Sequence, residues 1–376
     1  MSISTRVAHQ IVAQILAHPI DKTSLHDALQ ALDDSKWERV AEVAAYHTVS
    51  QALHPRLQQC GLHHLAPEEL QEHWHDLAHN SAMRNAALRA QVVELAKKLN
   101  SISVTPMLIK GSAHLFLQTY DNEGDRLSND LDILVPASRI DEAWDELLEL
   151  GYRQDDSRED FFESHHHYPP LLREGDFAAV ELHHELLARE VGDLISTRDA
   201  WSWSIPLELP GQATACVLPL EVRMLHSLVH IEIVDRGYEL GSIELRQLHE
   251  VAQVVSTQGA EIDWDKLIDA ADSRDIGSHL RANLYAAKKL MNVDIPDRVF
   301  DRFRTSTWVH FWRTQINYSS RLLDFLDGWW SRLNVDRMVR LYGIKRNPLD
   351  VNRARLKHLL MTPFRFAKKL AAPTEI

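Results

Sequence analysis

Two aspartates two residues apart, one at the start of an apolar segment and one inside it, set the strongest constraint on this chain. In Arg126-Leu127-Ser128-Asn129-Asp130-Leu131-Asp132-Ile133-Leu134-Val135 the apolar character runs from Leu131 to Val135 and stops at Pro136, which reads as a short strand. Side chains two residues apart on a strand share a face, so Asp130 and Asp132 project together. Two carboxylates held that close repel unless a cation lies between them. A hard divalent ion, Mg²⁺ or its substitute Mn²⁺, takes carboxylate oxygens and usually keeps a substrate phosphate as a further ligand. Two acids on a solvated strand edge would need no ion, but Leu131, Ile133, Leu134 and Val135 make this strand a buried one.

Twenty residues before Asp130 stands Lys110-Gly111-Ser112, directly after the apolar run Met107-Leu108-Ile109. Gly111 allows close backbone approach to a phosphate, and the Ser112 hydroxyl can donate to one. With the N-terminus of the helix expected to follow, they make an anion site, and Lys110 either neutralises a phosphate oxygen or simply flanks the strand. A tight strand-to-helix turn would require the glycine in any case, so its weight comes from its position ahead of the D-x-D strand. Arg126, four residues before Asp130, belongs at the mouth of the site, holding triphosphate or pairing with the acids. Ser128 either caps and positions this loop or meets the nucleotide beside it.

Further along, Ala178-Ala179-Val180-Glu181-Leu182-His183-His184-Glu185-Leu186 reads as a strand with Glu181 and His183 on one face. His183 is placed there either to touch substrate and orient the acid or to sit as a hydrogen-bonded core histidine. His165-His166-His167 precedes Tyr168-Pro169-Pro170. Adjacent histidines on an extended chain point to opposite sides, which argues against one zinc ion bound by all three. His167 is the one expected to face the site. His226 and His230 are four apart on an apolar helix, with a packed histidine as the default and a cleft-lining role open for His230.

These motifs resemble the nucleotidyltransferase superfamily related to DNA polymerase β, with Gly-Ser, a helix, a D-x-[DE] strand and a third carboxylate on a later strand. The closer resemblance is to an uncharacterised bacterial nucleotidyltransferase-like family with the pattern K-G, then R-x-x-x-D-[IL]-D-[IL]-L-V, then [DE]-L-H. Lys110-Gly111, Arg126, Asp130, Asp132, Glu181 and His183 fall on it, and the likeness extends from about Trp37 to about Pro296. It implies an α+β fold, a nucleotidyltransferase-like core of a small mixed sheet with helices, flanked by N-terminal and C-terminal helical regions. It further implies Asp130, Asp132 and Glu181 as catalytic metal ligands, with Glu181 also a possible base for an acceptor hydroxyl. Lys110, Gly111, Ser112, Arg126 and Ser128 would bind the nucleotide, and His167, His183 and His230 would line the substrate site. The family places a histidine near His230. The third acid here is Glu where Asp is commoner, and its longer arm changes the reach to the ion.

The 376 residues suffice for several structural units. Residues 1–100 read as an N-terminal helical region, 101–219 as the core, 220–298 as a helical bundle, and 299–376 as a Trp-containing helical extension with a basic tail. Trp201 to Pro219, with its prolines, reads as a connector. No apolar run approaches the roughly 20 residues that cross a bilayer. Met1-Ser2-Ile3-Ser4-Thr5-Arg6 opens no signal-peptide core, and only Cys60 and Cys216 are present, so a cytoplasmic protein without a disulfide framework is expected. A net charge of −13 disfavours bulk nucleic acid as a partner. From Arg332 onward basic residues dominate, and that tail reads as a solvated helix packed on the acidic body, with contact to an anionic partner as the alternative. The expected activity is Mg²⁺-dependent transfer of a nucleoside monophosphate from an NTP, ATP first among them, to an unidentified acceptor, with release of pyrophosphate. The alternative is a non-catalytic nucleotide-binding sensor, or a protein-interaction module that keeps the fold.

Overall fold

The computed structural model describes residues 3–154 and 166–317. His165 and the basic tail from Arg332 lie outside the described residues.

Four helices, Thr5–Ile15, Lys22–Gln30, Asp34–Tyr46 and Ser50–Cys60, precede one of 34 residues, Glu68–Ser101. Three of the first four have a side-chain N-cap, from Ser4, Asp21 and Asp33, each accepting from a backbone N–H two or three positions into the helix. The long helix starts just after Pro67 with Glu68 and Glu69 in its first turn, as the helix dipole favours, and no Gly or Pro interrupts it. Its Leu88, Val92, Leu95, Ala96 and Leu99 are buried against the sheet.

The sheet has seven strands: β1 Met107–Leu108, β2 Asp130–Leu134, β3 Arg153–Gln154, β4 Leu171–Leu172, β5 Ala179–His183, β6 Ile205–Leu209 and β7 Ala213–Val217, in spatial order β3-β4-β5-β2-β1-β7-β6. It is mixed: β2 runs parallel to β5 and β1 to β7, while β1–β2, β3–β4, β4–β5 and β6–β7 are antiparallel. The D-x-D strand is central, which is why Leu131, Ile133 and Leu134 are fully buried. The α+β class and the helical flanks stand as expected from the sequence.

Two local expectations differ. The helix after β1 covers Lys110–His114 and so includes Gly111 and Ser112, where a start at Ala113 was expected. The segment Trp201–Pro219 is no plain connector: it completes the helix Thr197–Trp203 and then forms the β6–β7 hairpin. Prolines misled the reading because β6 is the sheet edge, where Pro206 opposite Cys216 leaves no ladder donor missing.

The helices Leu220–Leu228, Leu245–Gln258, Trp264–Asp272 and Gly277–Leu290 form the bundle. Its apolar face joins that of the N-terminal helices in one continuous core, which Met107, Ile109 and Leu134 also enter. The sheet and the long helix build a second core on the other side. Helical regions far apart in sequence therefore close over one face of the sheet, and the site lies where they meet it. No helix among the described residues is long and apolar enough to cross a membrane.

Between the first bundle helix and the next, Val229–Val234 widens into a π-turn that carries Glu232 inward. Glu232 is 7 % exposed and accepts from the Asn283 amide at 2.7 Å. Burial pushes its carboxyl up from 4.5 to about 7, against the Asn283 hydrogen bond. A carboxyl raised in this way favours the fold below pH 4.5, and its contribution is lost as pH rises through about 7. Glu232→Gln is therefore expected to be more stable than the parent by roughly 2–3 kcal/mol above neutrality and equal to it in acid. Urea unfolding at about pH 4.5 and about pH 8.5 measures this; equal stabilities at the higher pH would contradict it.

Candidate active site

The loop before β2 is tied down from the long helix. Asn85 donates to the carbonyls of Glu123 and Arg126 at 2.7 and 2.8 Å, and Arg84 to that of Ser128 at 2.8 Å. Gly124 is required there, because a Cβ would stand 2.4 Å from the Ala78 carbonyl oxygen of that helix. β2 then leaves the loop in parallel register with β5, and Asp132 falls directly beside Glu181. The same pleat puts Asp130, Asp132, Glu181 and His183 on one face of the sheet.

Lys110 reaches Asp132 through the other neighbour. The antiparallel register Met107–Leu134 and Leu108–Ile133 brings Ile109 opposite Asp132, where its N–H donates to the Asp132 carbonyl at 3.4 Å. The next residue, Lys110, has φ +47°, a left-handed conformation that costs a non-glycine residue on the order of 1–3 kcal/mol. Lys110 Nζ donates to Asp132 Oδ1 at 2.7 Å, and His183 Nε2 donates to the same oxygen at 2.9 Å. Burial alone would raise the Asp132 carboxyl, but Lys110 and His183 outweigh it and hold it well below the usual carboxylate range. Burial lowers His183 to about 4 against the pull of Asp132, so the ring is neutral with its proton on Nε2.

Asp132, Glu181 and His183 each offer one ligand atom, all within 4.8 Å of one another. His183 Nδ1 is buried with no hydrogen-bond partner. Two carboxylates and a neutral imidazole are a donor set that suits a divalent ion. Glu181 is raised by burial and by Asp132, against His167 and Lys110; His167 Nε2 lies 3.9 Å from its Oε2. Asp130 stands outside this trio, exposed at the start of β2 and on the wall of the cleft. Desolvation and Asp132 push its carboxyl up, opposed by Lys110 and Arg126.

The other sequence candidates are distributed around this centre. Gly111 makes room for the Arg126 guanidinium: a Cβ there would meet Arg126 Nη1 at 2.6 Å. Arg126 donates to the Ser128 hydroxyl at 2.9 Å, so Ser128 orients the arginine. Ser112 is fully buried with an unpartnered hydroxyl and lies off the cleft wall. His183 is likewise fully buried behind Asp132, while His230 lines the cleft and pairs with Asp235 at 3.2 Å.

The residue that sequence reasoning missed is Glu250, on the bundle helix Leu245–Gln258. Its carboxylate accepts from Ser227 at 3.0 Å and from Arg126 at 3.4 Å, and lies 3.4 Å from His114 Nε2. Burial would raise it, but His114 and Arg126 hold it well below the usual range. The one sequence signal was an acid between Leu248 and Val251 in an amphipathic helix. Periodicity alone does not say what such an acid meets.

The chain matches the family model described as an uncharacterised nucleotidyltransferase over residues 33–292, more than two thirds of its length. The chain belongs to this nucleotidyltransferase family. No curated protein and no solved structure matches it. The matched span takes in both walls of the cleft, the D-x-D strand and the Glu250 helix alike.

Because Glu250 is the counter-charge of a mostly buried arginine, Glu250→Gln is expected to cost on the order of 3 kcal/mol of stability. Denaturant unfolding of the variant checks this, and a loss below about 1 kcal/mol would mean that solvent or another group compensates Arg126.

Proposed function

We propose that this protein transfers a nucleoside monophosphate from an NTP to an acceptor hydroxyl or similar group, with pyrophosphate as the leaving product, and that the reaction depends on Mg²⁺ or Mn²⁺. The observation that carries this reading is the parallel register that sets Asp132 beside Glu181, with Asp132 on the wall of a cleft that Asp130, Lys110 and Arg126 also line. Asp130, Asp132 and Glu181 are the proposed ligands, and His183 either adds a ring nitrogen or orients Asp132. A divalent ion bound there would supply Lewis-acid stabilisation of charge on the attacking and leaving oxygens.

The chain's own groups divide the remaining work. Lys110 and Arg126 bind phosphate oxygens, with Arg126 oriented by Ser128 and Glu250. Gly111 leaves the space in which that guanidinium sits. Glu181, raised above an ordinary glutamate, is matched to taking the proton of the acceptor. As the acceptor oxygen bonds to the α-phosphorus, the bond from that phosphorus to the bridging oxygen breaks and pyrophosphate departs. His167 stands by Glu181 to stabilise its charged form.

Incubation of the purified protein with each α-³²P-labelled NTP, Mg²⁺ or Mn²⁺ and a cell extract tests this directly. Label is expected to move to a product, and Asp130→Asn/Asp132→Asn to lower the rate by on the order of 10²–10³ or more. In parallel, Mn²⁺ binding followed by electron paramagnetic resonance is expected to weaken in Asp132→Asn and Glu181→Gln. Metal-dependent NTP binding without any transfer would point to a nucleotide sensor. The absence of both would sink the proposal.

A further inference from the structure

The wall of the cleft opposite the carboxylates carries more positive charge than the fold uses. It comes from the bundle helices Leu220–Leu228 and Leu245–Gln258, and among its lining residues Glu250 is the one acid. Glu250 is taken up by Arg126, His114 and Ser227. Arg223 and Arg246 line the same wall, half-buried, and neither has a carboxylate within ion-pair distance among the described residues. Arg223 makes one hydrogen bond, to the Gln258 amide oxygen at 3.3 Å. Arg246 makes none within the described residues.

The contacts between the helices place these two arginines. Ser227 meets Glu250 and Arg223 meets Gln258, so the helices run antiparallel across the wall. Arg223 lies four residues before Ser227, and Arg246 four before Glu250. They therefore stand on opposite sides of Glu250, each displaced about 6 Å along its helix. Holding a half-buried guanidinium without a direct ion pair is unfavourable, and burial already pushes Arg223 down, only partly offset by the more distant Glu250, Glu261 and Glu221. Planar guanidinium forks spaced along a groove match an extended chain of phosphate oxygens.

We propose that Arg223 and Arg246 form a phosphate-binding subsite on the helical wall, which takes either the terminal phosphates of the nucleotide or a phosphate on the acceptor. This rests on the nucleotidyl-transfer reading for its substrate and not for its binding chemistry. Calorimetric titration of the full chain with sodium tripolyphosphate, in the absence of metal, tests it. The parent is expected to bind, Asp130→Asn/Asp132→Asn to bind at least as well, and Arg223→Gln/Arg246→Gln to bind about tenfold more weakly or worse. Arg246→Lys, which keeps the charge but loses the planar fork, is expected to bind more weakly than the parent and more tightly than the double variant, which separates loss of the subsite from loss of the fold.

A titration with ATP and Mg²⁺ assigns the source. Weakening of ATP in the double arginine variant places the nucleotide's own phosphates there. Unchanged ATP affinity with lost tripolyphosphate binding assigns the subsite to a phosphate-bearing acceptor. No tripolyphosphate binding by the parent, or equal binding by the double arginine variant, overturns the proposal. If nucleotidyl transfer itself is the error, tripolyphosphate binding persists while no label moves.

Discussion

The lateral pairing of β2 with β5 is the contact on which the rest of the site depends. It sets two carboxylates side by side on a buried face, and the repulsion between them has to be met by something positive. Lys110 meets it at Asp132, in a backbone conformation that a lysine does not favour, and His183 adds a hydrogen bond from behind. Much of the surrounding structure serves to keep these groups where they are. The long helix holds the loop that feeds β2, and β1 delivers Lys110 from the opposite neighbour.

A second charge cluster closes the other side of the cleft. Glu250 joins Arg126 and His114 from the sheet-bearing core to Ser227 of the bundle, so the carboxylate is both a structural clamp and a means of aiming Arg126. The two clusters oppose each other in charge. Acids crowd the sheet face, and guanidinium groups crowd the helical wall. A ligand that carries phosphates and brings a divalent cation complements both at once, whereas a neutral metabolite would leave both unanswered.

Much of the site was legible before the fold was known. The alternation in Asp130-Leu131-Asp132-Ile133 specifies a strand and a shared face without any tertiary information, because side-chain period on a strand is fixed at two. The same rule placed Glu181 with His183. It did not say that Asp132, rather than Asp130, would be the member enclosed with Glu181 and His183, since that follows from the register of β2 on β5. Gly111 was read as room for a phosphate, and the side chain that occupies the space is Arg126. Ser112 was read as a phosphate donor, and the one-turn helix that includes it carries its hydroxyl into the interior.

What the sequence by itself determined is local: helix starts at Ser4, Asp21 and Asp33, the buried D-x-D strand, the Lys-Gly turn ahead of it, and the class of chemistry that clustered carboxylates demand. These follow from interactions within a few residues. Tertiary structure decided which separate segments meet. The order of strands, the edge hairpin of Ile205–Leu209 with Ala213–Val217, and the closure of the bundle over the sheet all rest on contacts between residues far apart in the chain. Glu250 lies 124 positions from Arg126, and no local pattern encodes that pairing. Its meaning comes from the packing that buries both charges together, where each is stable only in the presence of the other.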